Sequence, residues 1–158
     1  MRVYLFLDTS AVVKRYITET GSEWVKAQCK QAAENTIILS YATLVEAVTA
    51  FCRKARQQDL SQRISEPDRD RRVKRFRRDV EQRYSLVDVT KEVYIHAGDL
   101  CRIHKLRAYD AIQLACALKV RDELVALGKT APVFVSADTD LLSIAEAEGL
   151  DTENPNAH

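Results

Sequence analysis

The chain has 158 residues, 46% of them hydrophobic and 30% charged, with a formal net charge of +1 at pH 7. This length suits a single domain with a substantial core, and the composition excludes a disordered or fibrous protein. No apolar run approaches the roughly 20 residues of a membrane-spanning helix, and the apolar start ends at Asp8, too early for a signal peptide, so we expect a cytoplasmic protein.

In chain order, short segments rich in β-branched and aromatic residues alternate with segments whose apolar residues recur at helical spacing. The predicted strands are residues 3–7, 36–39, 85–89 and 133–136, with a fifth near 151–153. The predicted helices are residues 10–16, 22–33, 41–57, 66–83, 91–104, 108–127 and 141–148. Ser40, Ser65 and Thr90 stand where helix N-caps are expected.

This alternation of strands and helices predicts parallel pairing through right-handed crossovers. The segments 5–7 and 133–135 are apolar on both faces, as a sheet covered by helices on both sides requires. We see no internal repeat, linker or low-complexity tract. We therefore predict one domain over residues 1–155 with an α/β fold, a three-layer α/β/α sandwich around a central, mainly parallel sheet of four to five strands.

The four cysteines, Cys29, Cys52, Cys101 and Cys116, show no C-x-x-C spacing, and each lies in an apolar or helical context. A small disulfide-stabilised protein would be richer in cysteine and in loops, and a zinc site would need paired ligands. We therefore predict reduced, buried thiols that pack as small hydrophobic side chains.

Two acidic residues follow predicted strands. Asp8 closes the first strand, and Asp138 comes two residues after the strand 133–136. Because open parallel sheets bind ligands at the carboxyl ends of their strands, both carboxylates are candidates for a functional site. The alternative is that each is a helix cap, since Asp, Ser and Thr cluster at both positions.

Two further acids lie within predicted helices. Asp110 stands in a helix that is apolar nearly all round, where burial of a lone carboxylate is costly unless it is paired or bound to a metal. An ion pair with Arg107, three positions earlier, is the alternative. Glu46 has no Lys or Arg three or four positions away, so a local ion pair cannot offset the cost of burying its carboxylate. The alternative to a bound ligand is that Glu46 is partly exposed to water.

If these carboxylates converge, they cannot all stay ionised without a partner, because like charges at short range raise one another's pKa. Ligands that are all oxygens select hard cations such as Mg²⁺ or Mn²⁺. Such a site suits metal-assisted hydrolysis of a phosphodiester, in which a water attacks and the 3′-oxygen leaves. The candidate catalytic and metal-binding residues are therefore Asp8, Glu46, Asp110 and Asp138. No histidine has a convincing nucleophile beside it.

Four segments carry a resemblance to the PIN-domain nucleases in order and spacing: LDTSA at 7–11, residues 40–46, YDAIQLA at 109–115 and VSADTDLL at 135–142. The resemblance runs from residue 3 to about residue 155, and the size looks like that of VapC-type toxins. It implies an Mg²⁺- or Mn²⁺-dependent endoribonuclease whose metal ligands are the four acids above. It also implies an auxiliary acid at Asp140 and supporting polar groups at Thr9, Ser10 and Ser136.

The same resemblance implies partners. They are an RNA substrate, a second copy of the chain in a homodimer, and a cognate antitoxin protein whose tail reaches into the active-site groove. No membrane partner is expected.

The segment 53–83 is longer and more basic than a minimal toxin of this type would need, with 12 Lys and Arg against six Asp and Glu. One interpretation is a solvated helix face on which Asp68, Asp70, Asp79 and Glu81 pair with basic neighbours. The other is a basic helical arm that contacts RNA phosphates. Its candidate residues are Arg71, Arg72, Lys74, Arg75 and Arg78. An acidic antitoxin segment could use the same surface.

Three alternatives stay open. A stand-alone PIN nuclease of RNA processing, without an antitoxin, has the same sequence features. A haloacid-dehalogenase-like phosphatase also has an Asp after its first strand, but it needs a second Asp two residues on, where this chain has Ser10. A catalytically silent RNA- or protein-binding module would gain nothing from carboxylates in apolar settings.

Overall fold

The computed structural model describes residues 3–158 and has a central sheet of five parallel strands. The strands are β1 (Tyr4–Leu7), β2 (Thr36–Ser40), β3 (Ser85–Val87), β4 (Val133–Val135) and β5 (Asp151–Glu153). Their spatial order is β3-β2-β1-β4-β5, and every neighbouring pair is parallel. The predicted α/β fold, with a mainly parallel sheet of four to five strands, is confirmed.

Seven α-helices connect and cover the strands. They are α1 (Thr9–Val12), α2 (Ser22–Gln28), α3 (Ala42–Ala55), α4 (Glu66–Gln82), α5 (Lys91–Ile103), α6 (Ala108–Ala126) and α7 (Thr139–Ala147). Short 3₁₀ turns occupy Val13–Arg15, Gln31–Ala33 and Pro155–Ala157. The predicted helix 22–33 is wrong in extent, because the extended backbone of Lys30 separates α2 from the following 3₁₀ turn. Over residues 3–158, every helix is too short or too polar to cross a bilayer.

Two of the three predicted N-caps are confirmed. The Ser65 hydroxyl accepts a hydrogen bond from the Asp68 N–H at the start of α4, and the Thr90 hydroxyl accepts one at the start of α5. The prediction for Ser40 is wrong. Ser40 is the last residue of β2, and Tyr41 is already helical in backbone conformation and precedes α3 without a side-chain cap.

The two faces of the sheet carry separate cores, because successive side chains of a strand point to opposite sides. On one face, Phe6, Ile38 and Phe134 pack against α5, α6 and α7, and the rings of Phe6 and Phe134 stack with centroids 5.9 Å apart. On the other face, Leu7 and Leu39 pack with residues of α1, α2, α3 and α4. The structure therefore has the predicted three layers.

A buried polar cluster attaches α4 to the body. Asp79 is 1% exposed, and it accepts a hydrogen bond from the Tyr16 hydroxyl at 2.9 Å. Its Oδ2 lies 3.3 Å from Nε of the buried Arg15. Burial raises the pKa of Tyr16, and the neighbouring Tyr84 and Asp79 add to the rise. The interpretation of α4 as a uniformly solvated face is therefore wrong at Asp79, which faces inward.

All four cysteines are free thiols. Cys29 and Cys116 are buried, and burial raises the pKa of Cys116 to about 12. Cys52 is half-buried and Cys101 is exposed, so the prediction of burial is wrong for these two. Cys101 follows the buried Leu100, and the next position along a helix faces away from the core.

Candidate active site

The strand order places the candidate site at the carboxyl edge of the sheet. The chain adds β2 and β3 on one side of β1 and then returns to add β4 and β5 on the other. The edge beside β1 and β4 is therefore a topological switch point, where parallel sheets leave a crevice for ligands. Asp8 follows β1 directly, and Asp138 lies just beyond β4.

All four acids named from the sequence line one open cavity of about 510 Å³ at this edge. The residue after β1 is Asp8, the first half of α3 supplies Glu46, the first turn of α6 supplies Asp110, and the residue before α7 is Asp138. Residues that are up to 130 positions apart in the chain thus share one space.

Asp8 is the buried member of the set, with 4% exposure. Its Oδ1 accepts hydrogen bonds from the Ser10 hydroxyl at 2.7 Å and the Ala11 N–H at 2.9 Å. Its Oδ2 accepts one from the Ser136 hydroxyl at 2.7 Å. Burial raises the pKa of Asp8 to about 6, although these three donors lower it, and the nearby charge of Asp110 adds to the rise. A cation at the site would favour the ionised form.

Glu46 is half-buried and is held by neutral donors. Its Oε1 accepts hydrogen bonds from the Thr9 hydroxyl at 3.0 Å and from Nε2 of Gln113 at 2.8 Å. Both bonds go to the same oxygen, so the second oxygen, Oε2, is left for another ligand. Partial exposure together with these two donors accounts for a carboxylate at this position of α3.

Arg107 links the two remaining acids. Its Nε donates to Oδ2 of Asp110 at 2.8 Å, and one terminal nitrogen lies 3.8 Å from Oδ2 of Asp138. The ion pair considered from the sequence is therefore present. The Arg107 side chain is 81% exposed, however, so water screens the pair and its contribution to stability is small. Asp138 also caps α7, since its Oδ1 accepts from the N–H groups of Asp140 and Leu141.

The three predicted supporting groups all contact the acids. Thr9 donates to Glu46, and Ser10 and Ser136 both donate to Asp8. Ser10 and Ser136 also lie 3.3 Å apart, joining the ends of β1 and β4. Asp140, in contrast, is exposed in the first turn of α7 and does not line the cavity.

Comparison with known proteins identifies the family. The family model for the PIN domain matches residues 5–147, a span that contains all four acids. The chain belongs to the PIN domain family. Ribonuclease VapC45 of Mycobacterium tuberculosis is 35% identical over 122 residues, which cover 75% of this chain and 77% of VapC45.

Two solved structures share the fold of this PIN domain. A toxin-antitoxin complex from Klebsiella pneumoniae matches with a TM-score of 0.62 and 15% identity, over 96% of this chain and 97% of the other. VapBC2 from Rickettsia felis, bound to a DNA fragment from their promoter, matches with a TM-score of 0.59 and 14% identity, over 98% of both chains. The resemblance to PIN-domain nucleases inferred from four short segments is confirmed.

The donor set of this PIN domain suits a hard divalent cation, because its carboxylates and hydroxyls are all oxygen ligands. Across residues 3–158, no three Asp, Glu, His or Cys side chains stand close enough to hold an ion by themselves. Arg107 bridges Asp110 and Asp138. The residues fit a cation held by a few carboxylates, with water and a substrate phosphate as further ligands, which is how Mg²⁺ commonly binds.

The basic residues predicted on α4 lie away from the cavity of the PIN domain. Four of them are exposed to solvent: Arg71, Lys74, Arg75 and Arg78. Arg72 differs, because its Nε donates to the Tyr16 carbonyl at 2.9 Å and its terminal nitrogen donates to the Asp68 carbonyl at 3.1 Å. Arg72 therefore joins α4 to the chain that follows α1.

Two residues of the site are missing from the sequence prediction. Gln113 is 2% exposed and contacts Glu46, and Arg53 lines the cavity from α3. Spacing could have indicated both. Gln113 follows Asp110 by three positions and Arg53 follows Glu46 by seven, so each lies on the same helical face as an acid.

Proposed function

We propose that this PIN domain is an Mg²⁺- or Mn²⁺-dependent endoribonuclease and the toxin of a VapBC-type toxin–antitoxin pair. One observation carries the proposal: four carboxylates from four different elements line a single cavity at the switch point of the sheet. The ribonuclease name of VapC45, at 35% identity, supports the reaction class.

The side chains of the site have separate tasks in this reaction. A bound divalent cation supplies a water of lowered pKa and neutralises charge on the phosphate. The hydroxyls of Ser10 and Ser136 fix both oxygens of Asp8, so this carboxylate presents a constant geometry. Asp110 and Asp138, which pair with Arg107, would be further ligands of the cation in place of that guanidinium. Asp140, exposed two residues after Asp138, is proposed as an auxiliary acid outside the cavity lining.

Arg107 and Arg53 provide cationic groups on the walls of the cavity. Once Arg107 leaves Asp110, its guanidinium can bind a phosphate of the RNA next to the scissile one. The exposed basic residues of α4 extend this binding to more distant phosphates of a structured RNA, where they add affinity without reading sequence.

The antitoxin of the proposed pair binds beside the same cavity. Val45 and Tyr109 are 56% and 50% exposed at its edge, and they offer apolar surface for a peptide tail next to the acids. The Klebsiella pneumoniae structure is described as a toxin–antitoxin complex and the Rickettsia felis structure as VapBC2, which supports such a partner. We further propose a homodimer and a cytoplasmic location.

A stand-alone RNA-processing nuclease is the second candidate, because the cavity and its acids do not depend on an antitoxin. Co-expression of the chain with the product of any adjacent short reading frame separates the two. A stable complex in which cleavage is blocked supports the toxin, and a chain that is tolerated by its host without any partner supports the stand-alone nuclease.

The chemistry of the RNA ends tests the reaction itself. Hydrolysis with a leaving 3′-oxygen produces 3′-hydroxyl and 5′-phosphate ends, and we expect these ends on fragments of purified total RNA cut by the wild type with Mg²⁺ or Mn²⁺. Asp110→Asn should give no such fragments. Fragments with 2′,3′-cyclic phosphate ends, or fragments that persist with Asp110→Asn, would contradict the proposed mechanism.

A further inference from the structure

Gln113 is a polar side chain in an apolar stretch of α6, and it is 2% exposed. Its neighbour Leu114 is fully buried in the core on one face of the sheet. Gln113 instead points to the carboxyl edge of the sheet. There its amide contacts side chains from three other parts of the fold.

Each end of this amide has defined partners. Nε2 of Gln113 donates to Oε1 of Glu46 at 2.8 Å and to the Thr43 hydroxyl at 2.9 Å, with the Thr9 hydroxyl at 3.3 Å. Oε1 of Gln113 accepts from the Ser40 hydroxyl at 3.0 Å. One amide thus connects the end of β2, the start of α1 and the first half of α3.

The orientation of the amide follows from chemistry. An ionised carboxylate only accepts hydrogen bonds, so the NH₂ group of Gln113 must face Glu46 and its carbonyl must face away. The Ser40 hydroxyl, which is fully buried, then has to donate to that carbonyl. Ser40 therefore locks the amide in the orientation in which it holds Glu46.

We propose that Gln113 is a positioning residue that holds Glu46 in the geometry needed for cation binding, with Ser40 as its anchor. The inference rests on the proposed function, since it assigns a role within that same site. Without the amide, Glu46 keeps only the Thr9 hydroxyl and can rotate toward solvent. Loss of a group that orients a metal ligand commonly weakens metal binding or activity by about 10- to 100-fold.

The test compares five variants, of which Asp8→Asn removes a proposed metal ligand and shows whether the metal site exists. Gln113→Met removes the amide at similar volume, Ser40→Ala removes only the anchor, and the double variant combines the two. Leu114→Met is the control for a change in the same buried helix. For each protein, isothermal titration gives the Kd for Mn²⁺ of the metal-free form, and kinetics at saturating Mn²⁺ give KM for RNA.

We expect Gln113→Met to raise the Kd for Mn²⁺ by about 10- to 100-fold, with KM for RNA at saturating Mn²⁺ unchanged. Ser40→Ala should raise this Kd less. The double variant should match Gln113→Met, because Ser40 acts through Gln113 and the two effects are not additive. Leu114→Met should bind Mn²⁺ as the wild type does.

Four results would overturn the inference. A wild-type Kd in Gln113→Met, where Asp8→Asn has lost Mn²⁺ binding, would reject Gln113 and keep the metal site. Additive effects of the two changes would reject Ser40 as the anchor. If Gln113→Met does not fold, Ser40→Ala decides, and an unchanged Kd there rejects the inference. A wild type that neither binds Mn²⁺ nor cleaves RNA would reject the proposed function as well.

Discussion

Asp8 is the buried carboxylate among the four acids, and its burial has a consequence for stability. Its pKa is about 6 in the folded chain against 3.8 for an ordinary Asp. Between these two values the folded state holds a proton that the unfolded state has released. The free energy of unfolding therefore falls as pH rises through this range, and without metal the full penalty is present above about pH 6.

We predict that Asp8→Asn stabilises the metal-free protein at pH 7.5, because Asn keeps the cap of α1 and removes the buried charge. The gain in free energy of unfolding should be on the order of 1–3 kcal/mol. It should disappear below about pH 3, where Asp8 is protonated in both states. Urea unfolding at both pH values measures it. Asp99→Asn, an exposed control in α5, should change stability little, and a gain for Asp8→Asn that does not vary with pH would contradict the account.

Arg107 is a second residue whose role follows from its contacts. Its guanidinium occupies the same carboxylates that a cation would use, at 2.8 Å from Asp110 and 3.8 Å from Asp138. We predict that Arg107→Ala lowers the Kd for Mn²⁺ by roughly two- to fivefold, the range that an exposed ion pair can contribute. It should also raise KM for RNA. Mn²⁺ titration and steady-state kinetics measure the two effects.

Arg102 provides the matched control for Arg107. It is 82% exposed and pairs with Asp99 at 3.6 Å, three positions away on α5 and outside the cavity. Arg102→Ala should leave both constants unchanged. If Arg107→Ala binds Mn²⁺ no more tightly than Arg102→Ala does, Arg107 does not compete with the cation.

The sequence identifies the acids more readily than the residues that hold them. Asp8 and Asp138 follow apolar strands, and Asp110 interrupts an apolar helix, so each stands out by position. Gln113 shares a helical face with Asp110, but it stands out less, because an amide has no charge that must be compensated. Its importance depends on a distance of 2.8 Å to Glu46, which lies 67 positions earlier, and sequence spacing carries no information on that distance.

At the scale of elements, the attachment of α4 to the rest of the fold depends on the buried carboxylate of Asp79. We predict that Asp79→Ala lowers the free energy of unfolding by about 3–5 kcal/mol, because it leaves the buried Arg15 without its charge partner. Urea unfolding measures the loss. KM for RNA and the Kd for Mn²⁺ should not change, since Asp79 lies outside the cavity.

Asp70 is the control on the same helix, since it is exposed and pairs with Arg69 across the surface. Asp70→Ala should change stability by less than about 0.5 kcal/mol. Equal losses for Asp70→Ala and Asp79→Ala would show that the buried cluster does not fasten α4.

The exposed basic residues of α4 allow a prediction about RNA binding. Lys74, Arg75 and Arg78 are exposed to solvent on α4. Arg75 also lies over the ring of Tyr16, and Nε of Arg78 lies 4.0 Å from Asp79. If they contact RNA phosphates, replacing all three with Gln should weaken RNA binding and reduce the slope of log K against log salt by up to about 2. Filter binding at several salt concentrations measures this slope. A slope equal to that of Lys129→Gln, an exposed control outside α4, would contradict the role of this surface.

Helix and strand positions are largely predictable from the sequence, but what α4 does is not. Apolar periodicity and the caps at Ser65 and Thr90 fix where α4 and α5 begin, because both signals are local. The inward direction of Asp79 is not local. It depends on Arg15 and Tyr16, more than 60 positions earlier, which provide the partners that make a buried acid tolerable.

At the scale of the whole molecule, the chain separates its charges. The segment 53–83 is strongly basic, and the remainder has 12 Lys and Arg against 17 Asp and Glu. The net charge of +1 conceals this separation. Under the proposed function, the acidic cavity would bind a cation and the basic helix would contact the RNA backbone, so one molecule would bind two ligands of opposite charge.

The order of strands is the main feature of the fold that the sequence could not predict. Alternating strands and helices indicate a parallel sheet, but they do not say on which side of β1 the strand β4 will pair. In the structure, β4 pairs with β1. That return brings Ser136 to Asp8 and Asp138 to the same cavity, so the candidate active site depends on this strand order.

The most direct test is cleavage of purified total RNA by the wild type and by Asp8→Asn, with Mg²⁺, with Mn²⁺ and with EDTA. We predict discrete fragments from the wild type with either cation, none with EDTA, and none from Asp8→Asn under any condition. Cleavage by the wild type in EDTA, or by Asp8→Asn at the wild-type rate, would contradict a cation-dependent site built on Asp8.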